Sequence, residues 1–234
     1  MNQLALPLSL RDHGVFDSFW PANNEALVAW LRNLTDARSG AGCWIWGGAA
    51  TGKTHLLQAV CDRFGDEAVY LPLDLFISSG PGILEHIATR RCVCLDNIDA
   101  LAADERWETA LFALLNEIAD HEALLVVAAR AAPRDCGFVL PDLQSRLTRL
   151  PVFHIEPLDE PNRIRALQLR ANHRGLELPT DTARFLLNRS KRDMGSLYQL
   201  LDRLDTEALK ARRRLTIPFV KDVLLNADRG QHRS

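Results

Sequence analysis

Eight consecutive residues, Gly47-Gly48-Ala49-Ala50-Thr51-Gly52-Lys53-Thr54, have the types and spacing of a phosphate-binding loop. Glycines let backbone N–H groups wrap around phosphates. Lys53 has the reach for the β- and γ-phosphates of a nucleotide, and the Thr54 hydroxyl is a ligand for Mg²⁺. The loop follows an apolar run, Cys43-Trp44-Ile45-Trp46, and opens into the helix-forming stretch His55-Leu56-Leu57-Gln58-Ala59-Val60. That strand-loop-helix setting is what the motif requires. His55 packs at the helix start and is grouped with the nucleotide-binding residues.

A second apolar run, Cys92-Val93-Cys94-Leu95-Asp96, ends in an acid. Mg²⁺ at such a loop is held by the loop hydroxyl and a carboxylate from a neighbouring strand. Asp96 is assigned that role beside Thr54. The next residue, Asn97, cannot take a proton, so hydrolysis by this chain alone is expected to be slow. Asp99 reads either as a turn or helix cap or, if its loop bends back, as a substitute acid.

These residues need a sheet to bring them together. Strand signals lie at 43–46, 68–71, 91–95, 124–129 and 152–155. Helical segments fall near 53–64, 83–89, 105–120 and 142–149, after a first helix at Glu25–Leu34 capped by Asn23 or Asn24. The alternation predicts an α/β fold, a five-stranded parallel sheet sandwiched by helices. Helices near 160–173, 180–189, 194–212 and 217–226 follow with no strand signal, which predicts a small all-α lid. The expected division is a tail at 1–13, a nucleotide-binding domain at 14–157 and a lid at 158–234.

Composition excludes several classes. The formal net charge of −2 argues against a strongly basic nucleic-acid binder. No apolar run approaches the ~18 residues of a membrane helix, and no secretory signal opens the chain. The five cysteines form no CxxC pair or ligand-spaced cluster, so buried reduced thiols in a cytoplasmic protein are expected. Cys92 and Cys94, two apart on a strand, share a face as packing residues.

Gly52-Lys53-Thr54-His55-Leu56-Leu57 resembles the phosphate loop of the replication initiator DnaA and its AAA+ relatives. Phe16-Asp17-Ser18-Phe19 with Asn23 and Asn24 is similar to the base-pocket segment of that family, and Leu95-Asp96-Asn97-Ile98 to its second acidic motif. Leu143-Gln144-Ser145-Arg146-Leu147 is similar to the segment carrying the family's arginine finger. Leu167-Gln168-Leu169-Arg170-Ala171, Arg174-Gly175-Leu176-Glu177-Leu178-Pro179 and Leu215-Thr216-Ile217-Pro218-Phe219-Val220-Lys221 resemble the Hda branch, the DnaA-related regulatory inactivators. The likeness runs from about residue 14 to 226. Where DnaA continues into a DNA-reading domain, a short polar end at 226–234 is expected, and where DnaA begins with a partner-binding domain, the Gln3–Leu8 segment is expected instead.

The resemblance implies a DnaA/Hda-type AAA+ protein binding ADP or ATP with Mg²⁺. Arg146 would act in trans on ATP held by DnaA, with Arg149 as its neighbour and rival. Gln3-Leu4-Ala5-Leu6-Pro7-Leu8 resembles a peptide for the sliding clamp, the DNA polymerase III beta subunit. Gln3 would fill a polar niche, Leu6 and Leu8 would be apolar anchors, Pro7 would restrict the free peptide, and Leu4 is grouped with these clamp-binding residues. The same alternation also reads as an edge strand. DNA would be met through the clamp, at the nucleoid and replisome, and homo-oligomers are compatible with the family. The implied function is stimulated hydrolysis of DnaA-bound ATP, which restrains initiation of chromosome replication. The alternatives are an autonomous DnaA-like ATPase or helicase loader, and a non-catalytic clamp–initiator adaptor.

The chain departs from its relatives in places. Val127-Ala128-Ala129-Arg130 has alanines where they sense the γ-phosphate, and Gly195 stands where the lid carries an arginine. Arg192 lies one turn earlier. Lys210-Ala211-Arg212-Arg213-Arg214 reads either as cations at a helix end or as a DNA contact.

Overall fold

The computed structural model describes residues 14–34, 42–189, 194–211 and 213–231. The tail residues Gln3, Leu4, Leu6, Pro7 and Leu8 lie outside them, as do Arg192 and Arg212.

All five strand signals form strands: β1 (Gly42–Trp46), β2 (Ala68–Pro72), β3 (Cys92–Asp96), β4 (Leu124–Ala129) and β5 (Val152–His154). They pair parallel in the order β2-β3-β4-β1-β5. The apolar runs of β3 and β4 are buried along their whole length, as strands covered on both faces must be. Period-two alternation sorts β3: Val93 and Leu95 join one core with Trp44, Val127 and Trp107, while Cys92, Cys94 and Asp96 share the other face. At Gly42 the sheet closes tightly. A Cβ there would stand 2.1 Å from the Leu125 carbonyl oxygen, its partner across the β1–β4 ladder.

The helices of this layer are α1 (Glu25–Arg32), α2 (Lys53–Phe64), α3 (Glu105–Asp120) and α4 (Pro141–Leu147). Asn24 stands at the N-cap of α1 without a side-chain capping bond. Asp104 caps α3 by accepting from the backbone N–H groups of Arg106 and Trp107. The predicted helix at 83–89 does not form. Two short 3₁₀ turns, Pro81–Leu84 and Ile87–Thr89, stand there instead. Glu85 is extended and His86 is left-handed at φ 64° between them. A seven-residue segment after Gly80-Pro81-Gly82 offers too few bonds to offset helix nucleation.

A separate part of the chain is all-helical: α5 (Glu160–His173), α6 (Thr180–Arg189), α7 (Met194–Ala211) and α8 (Ile217–Gln231). Asp159 caps α5 by accepting from the Asn162 N–H. Leu167, Leu186, Leu197, Leu201, Leu204 and Val220 form its core. The chain divides into two compact units. One holds Asn24–Gly48 and Gly52–Ile155 with the stretch ending at Phe16; the other holds Asp17–Asn23, Ala49–Thr51 and the chain from Glu156 onward. Within the second, Trp20 packs against the helical core, donates from Nε1 to Asn162 Oδ1 at 2.9 Å and lies under the Arg165 guanidinium. Among the described residues no helix is long and apolar enough to cross a membrane.

Candidate nucleotide-binding site

The loop after β1 enters α2 through backbone that side chains rarely adopt. Ala50 has φ 57° and Gly52, the N-cap of α2, has φ 103°. Such left-handed residues turn successive N–H groups toward one point, and the helix N-terminus adds its positive end there. Lys53 is buried, and its Nζ donates to the carbonyls of Gly47 at 2.7 Å and Gly48 at 2.6 Å. Burial lowers its pKa below the usual lysine value. Asp96 and Asp99 oppose that shift, and Arg130 adds to it.

Asp96, at 1% exposure, is the hub of the site. Its Oδ2 accepts from Thr54 Oγ1 at 2.6 Å and from the Tyr70 hydroxyl at 2.9 Å, and its Oδ1 accepts from the Asn97 N–H at 3.0 Å. Tyr70 comes from β2. Its register partner on β3 is Cys94, so period two puts Tyr70 on the face of Asp96, one diagonal step away. Asn97 is left-handed at φ 55°, and its side-chain Nδ2 donates to Asp74 Oδ1 at 3.0 Å. Asp99 accepts from the Arg130 N–H at 3.2 Å, tying its turn to the end of β4. Thr54 and Asp96 thus meet as a donor set suited to a hard divalent cation. Lys53 and the turned amides suit a polyphosphate.

Residues 14–16 lie along the start of α2. The Gly14 N–H donates to Gln58 Oε1 at 3.1 Å, and His55 Nε2 lies 2.9 Å from the Val15 carbonyl. A carbonyl only accepts, so His55 carries its proton on Nε2. A Cβ at Gly14 would lie 2.5 Å from the His55 carbonyl oxygen. Phe16 has the Arg32 guanidinium 5.4 Å from its ring centre.

Arg146 takes no part in the Asp96 network. It projects from α4, exposed, with its guanidinium 5.1 Å above the Phe112 ring. Arg149 is exposed nearby. Glu108, which the sequence did not single out, sets the entry to α4. Fully buried, it accepts from the N–H groups of Ala103, Val139 and Leu140, the last at 2.6 Å. Its partners at 139 and 140 are more than thirty positions away, and no local pattern marks them. Tyr70 and Asp74 escaped the sequence for the same reason. Of the basic cluster, Lys210 pairs with Glu207 at 2.8 Å, and Arg213 pairs with Asp222 at 3.6 Å and covers the Phe219 ring. These contacts are made within the helical unit.

Residues 159–224 match the family model of the Hda lid domain. The fold is similar to domain III of the Thermotoga maritima replication initiation protein DnaA, at 22% identity and a TM-score of 0.70 over 91% of this chain and 95% of that one. AMPPCP-bound DnaA from Aquifex aeolicus gives 23% identity and a TM-score of 0.61, over 85% and 68% of the two chains. A mutant form of Thermotoga maritima RuvB gives 15% and 0.63 over 90% and 71%. The fold is of the AAA+ type, a parallel five-stranded sheet flanked by helices with a helical lid region. Residues 159–224 are of the Hda lid type, and the fold is similar to that of DnaA domain III.

Proposed function

We propose that this chain binds ADP or ATP with Mg²⁺ in its own loop and regulates DnaA by lending Arg146 to the initiator's nucleotide. The Hda-type lid and the DnaA-type fold support a DnaA-related replication regulator. Gly47, Gly48, Ala49, Ala50, Thr51 and Gly52 supply the phosphate cradle, Lys53 its charge, and Thr54 with Asp96 the metal ligands. The bound cation supplies charge neutralisation at the phosphates. His55 orders residues 14–16, which would bring Phe16 to the base.

The observation that carries this reading is a pair of contrasts. In the chain's own site the residue after the metal carboxylate is an amide, held by Asp74. On α4 an arginine stands exposed on an aromatic ring. The first points to poor turnover in cis; the second offers a fixed charge to another molecule. Where measured, an arginine finger contributes ~10³–10⁵ in rate. Residues 3–8 would gather chain and partner on the DNA-loaded sliding clamp, which raises their effective concentration.

The test follows radiolabelled ATP on DnaA with this protein and the clamp, with and without DNA. Arg146→Ala is expected to abolish stimulated hydrolysis while clamp binding persists. Stimulation surviving in that variant refutes the assignment. Replacing Gln3 and Leu4 is expected to abolish capture by immobilised clamp with thermal unfolding unchanged.

A further inference from the structure

We propose that Tyr70 is a positioning residue for the metal site: its hydroxyl fixes the Asp96 carboxylate in the orientation in which Mg²⁺ is shared with Thr54. This deepens the nucleotide-binding reading and rests on it. The phenol reaches Asp96 Oδ2 at 2.9 Å, the same oxygen that Thr54 Oγ1 meets at 2.6 Å. The Asn97 N–H holds the other oxygen at 3.0 Å. The carboxylate is therefore gripped on both sides. Of its two side-chain donors, Thr54 is itself a candidate ligand and must turn its lone pairs to a cation. Thr54 can keep its O–H on Asp96 while a lone pair meets a cation, but its placement then follows the cation; Tyr70 is held by the β2–β3 pairing and fixes Asp96 with or without one.

The fold leaves Tyr70 little choice. β2 pairs with β3 from Ala68 to Pro72, which pins the ring beside Cys94 and one step from Asp96. Partners that orient a ligating carboxylate typically hold ~10–100-fold in metal affinity. A carboxylate relieved of Tyr70 keeps its charge but regains rotation about its last torsion. The loss should therefore appear in Mg²⁺ dependence and not in phosphate binding by Lys53 and the loop.

The experiment uses the full chain and a fluorescent ADP analogue. Affinity is measured in EDTA and across an Mg²⁺ titration for wild type, Tyr70→Phe and Val69→Ala. The last removes packing from the same strand and leaves the hydroxyl in place. Tyr70→Phe is expected to bind as wild type in EDTA but to need roughly tenfold more Mg²⁺ for its half-maximal gain in affinity. Val69→Ala is expected to keep the wild-type Mg²⁺ midpoint. A Tyr70→Phe midpoint within twofold of wild type, or an equal shift in Val69→Ala, overturns the inference while nucleotide binding stands. Failure of the wild-type chain to bind the analogue at all overturns the nucleotide reading and this inference with it.

Discussion

Asn97 meets Asp74 at 3.0 Å, and that pairing sets what one substitution can achieve. Asn97→Glu places a carboxylate where its amide now donates to another carboxylate, and like charges that close repel. The single variant is expected to hydrolyse ATP scarcely faster than wild type. The double variant Asn97→Glu/Asp74→Asn is expected to exceed it clearly in single-turnover assays. Lys53 gives a pH signature. Its depressed pKa means that it sheds its proton before an ordinary lysine does as pH rises toward 10.5. The unfolded chain binds more protons in that window, so this group's contribution to folding stability improves as pH rises through it. Nucleotide affinity moves the other way, because a neutral amine no longer attracts phosphate. Lys53→Arg, charged throughout, is expected to show a flatter affinity profile between pH 8 and 10. The thiols match the buried expectation only in part, since Cys61 and Cys136 are half-buried. Cys43, Cys92 and Cys94 are buried. Cys136, pushed up to about 11 by burial and then by the Asp99 charge, should alkylate about tenfold faster per pH unit between 8 and 10. At this scale the sequence revealed what is local. Lys53 and Thr54 stand in a contiguous motif, and Asp96 ends an apolar run. Tyr70 and Asp74 belong to the same site but stood twenty-odd positions away. The β2–β3 register brings Tyr70 to Asp96, and the turn that follows β2 carries Asp74 to Asn97.

Among the elements, the strands were legible because each is an apolar run of four to six residues between turn signals, and α2, α3 and α5 because they carry both period and boundary. The segment after β2 was not. Its apolar residues imitate helical spacing, yet Gly80, Pro81 and a left-handed His86 break the backbone into single turns. α4 shows how an element can depend on a residue outside it. Glu108 meets three backbone N–H groups, two of them immediately before α4. Glu108→Ala leaves those donors buried and is expected to cost about 2–4 kcal/mol by urea denaturation. Glu108→Gln, which keeps acceptor capacity on one oxygen, should cost clearly less. Gly42→Ala tests the β1–β4 contact. A methyl group 2.1 Å from a carbonyl oxygen forces the strands apart, with an expected cost of about 1–3 kcal/mol in the same assay.

For the whole molecule, each unit carries its own apolar core, and the two separate motifs by purpose. The α/β unit holds Lys53, Thr54, Asp96 and Arg146, while the helical unit carries the Hda-type stretch 159–224. The sequence marked the passage from one to the other by the loss of strand signals beyond about residue 156. It did not show that Asp17–Asn23 would be counted with the helices, because Trp20 meets Asn162 across more than a hundred positions. Fragments test that membership. A peptide spanning 156–234 is expected to show a lower melting temperature by circular dichroism than one in which 17–23 is fused ahead of it by a flexible linker. Equal melting would mean that Trp20 contributes nothing to that core.

The placement of Trp20 also orders events during translation. The strip from 17 to 23 leaves the ribosome more than a hundred residues ahead of the helices it joins. The Trp20 indole must wait, in water or under a chaperone, until those helices have been made. A nascent chain stalled before residue 156 would present that ring as a waiting, uncovered surface.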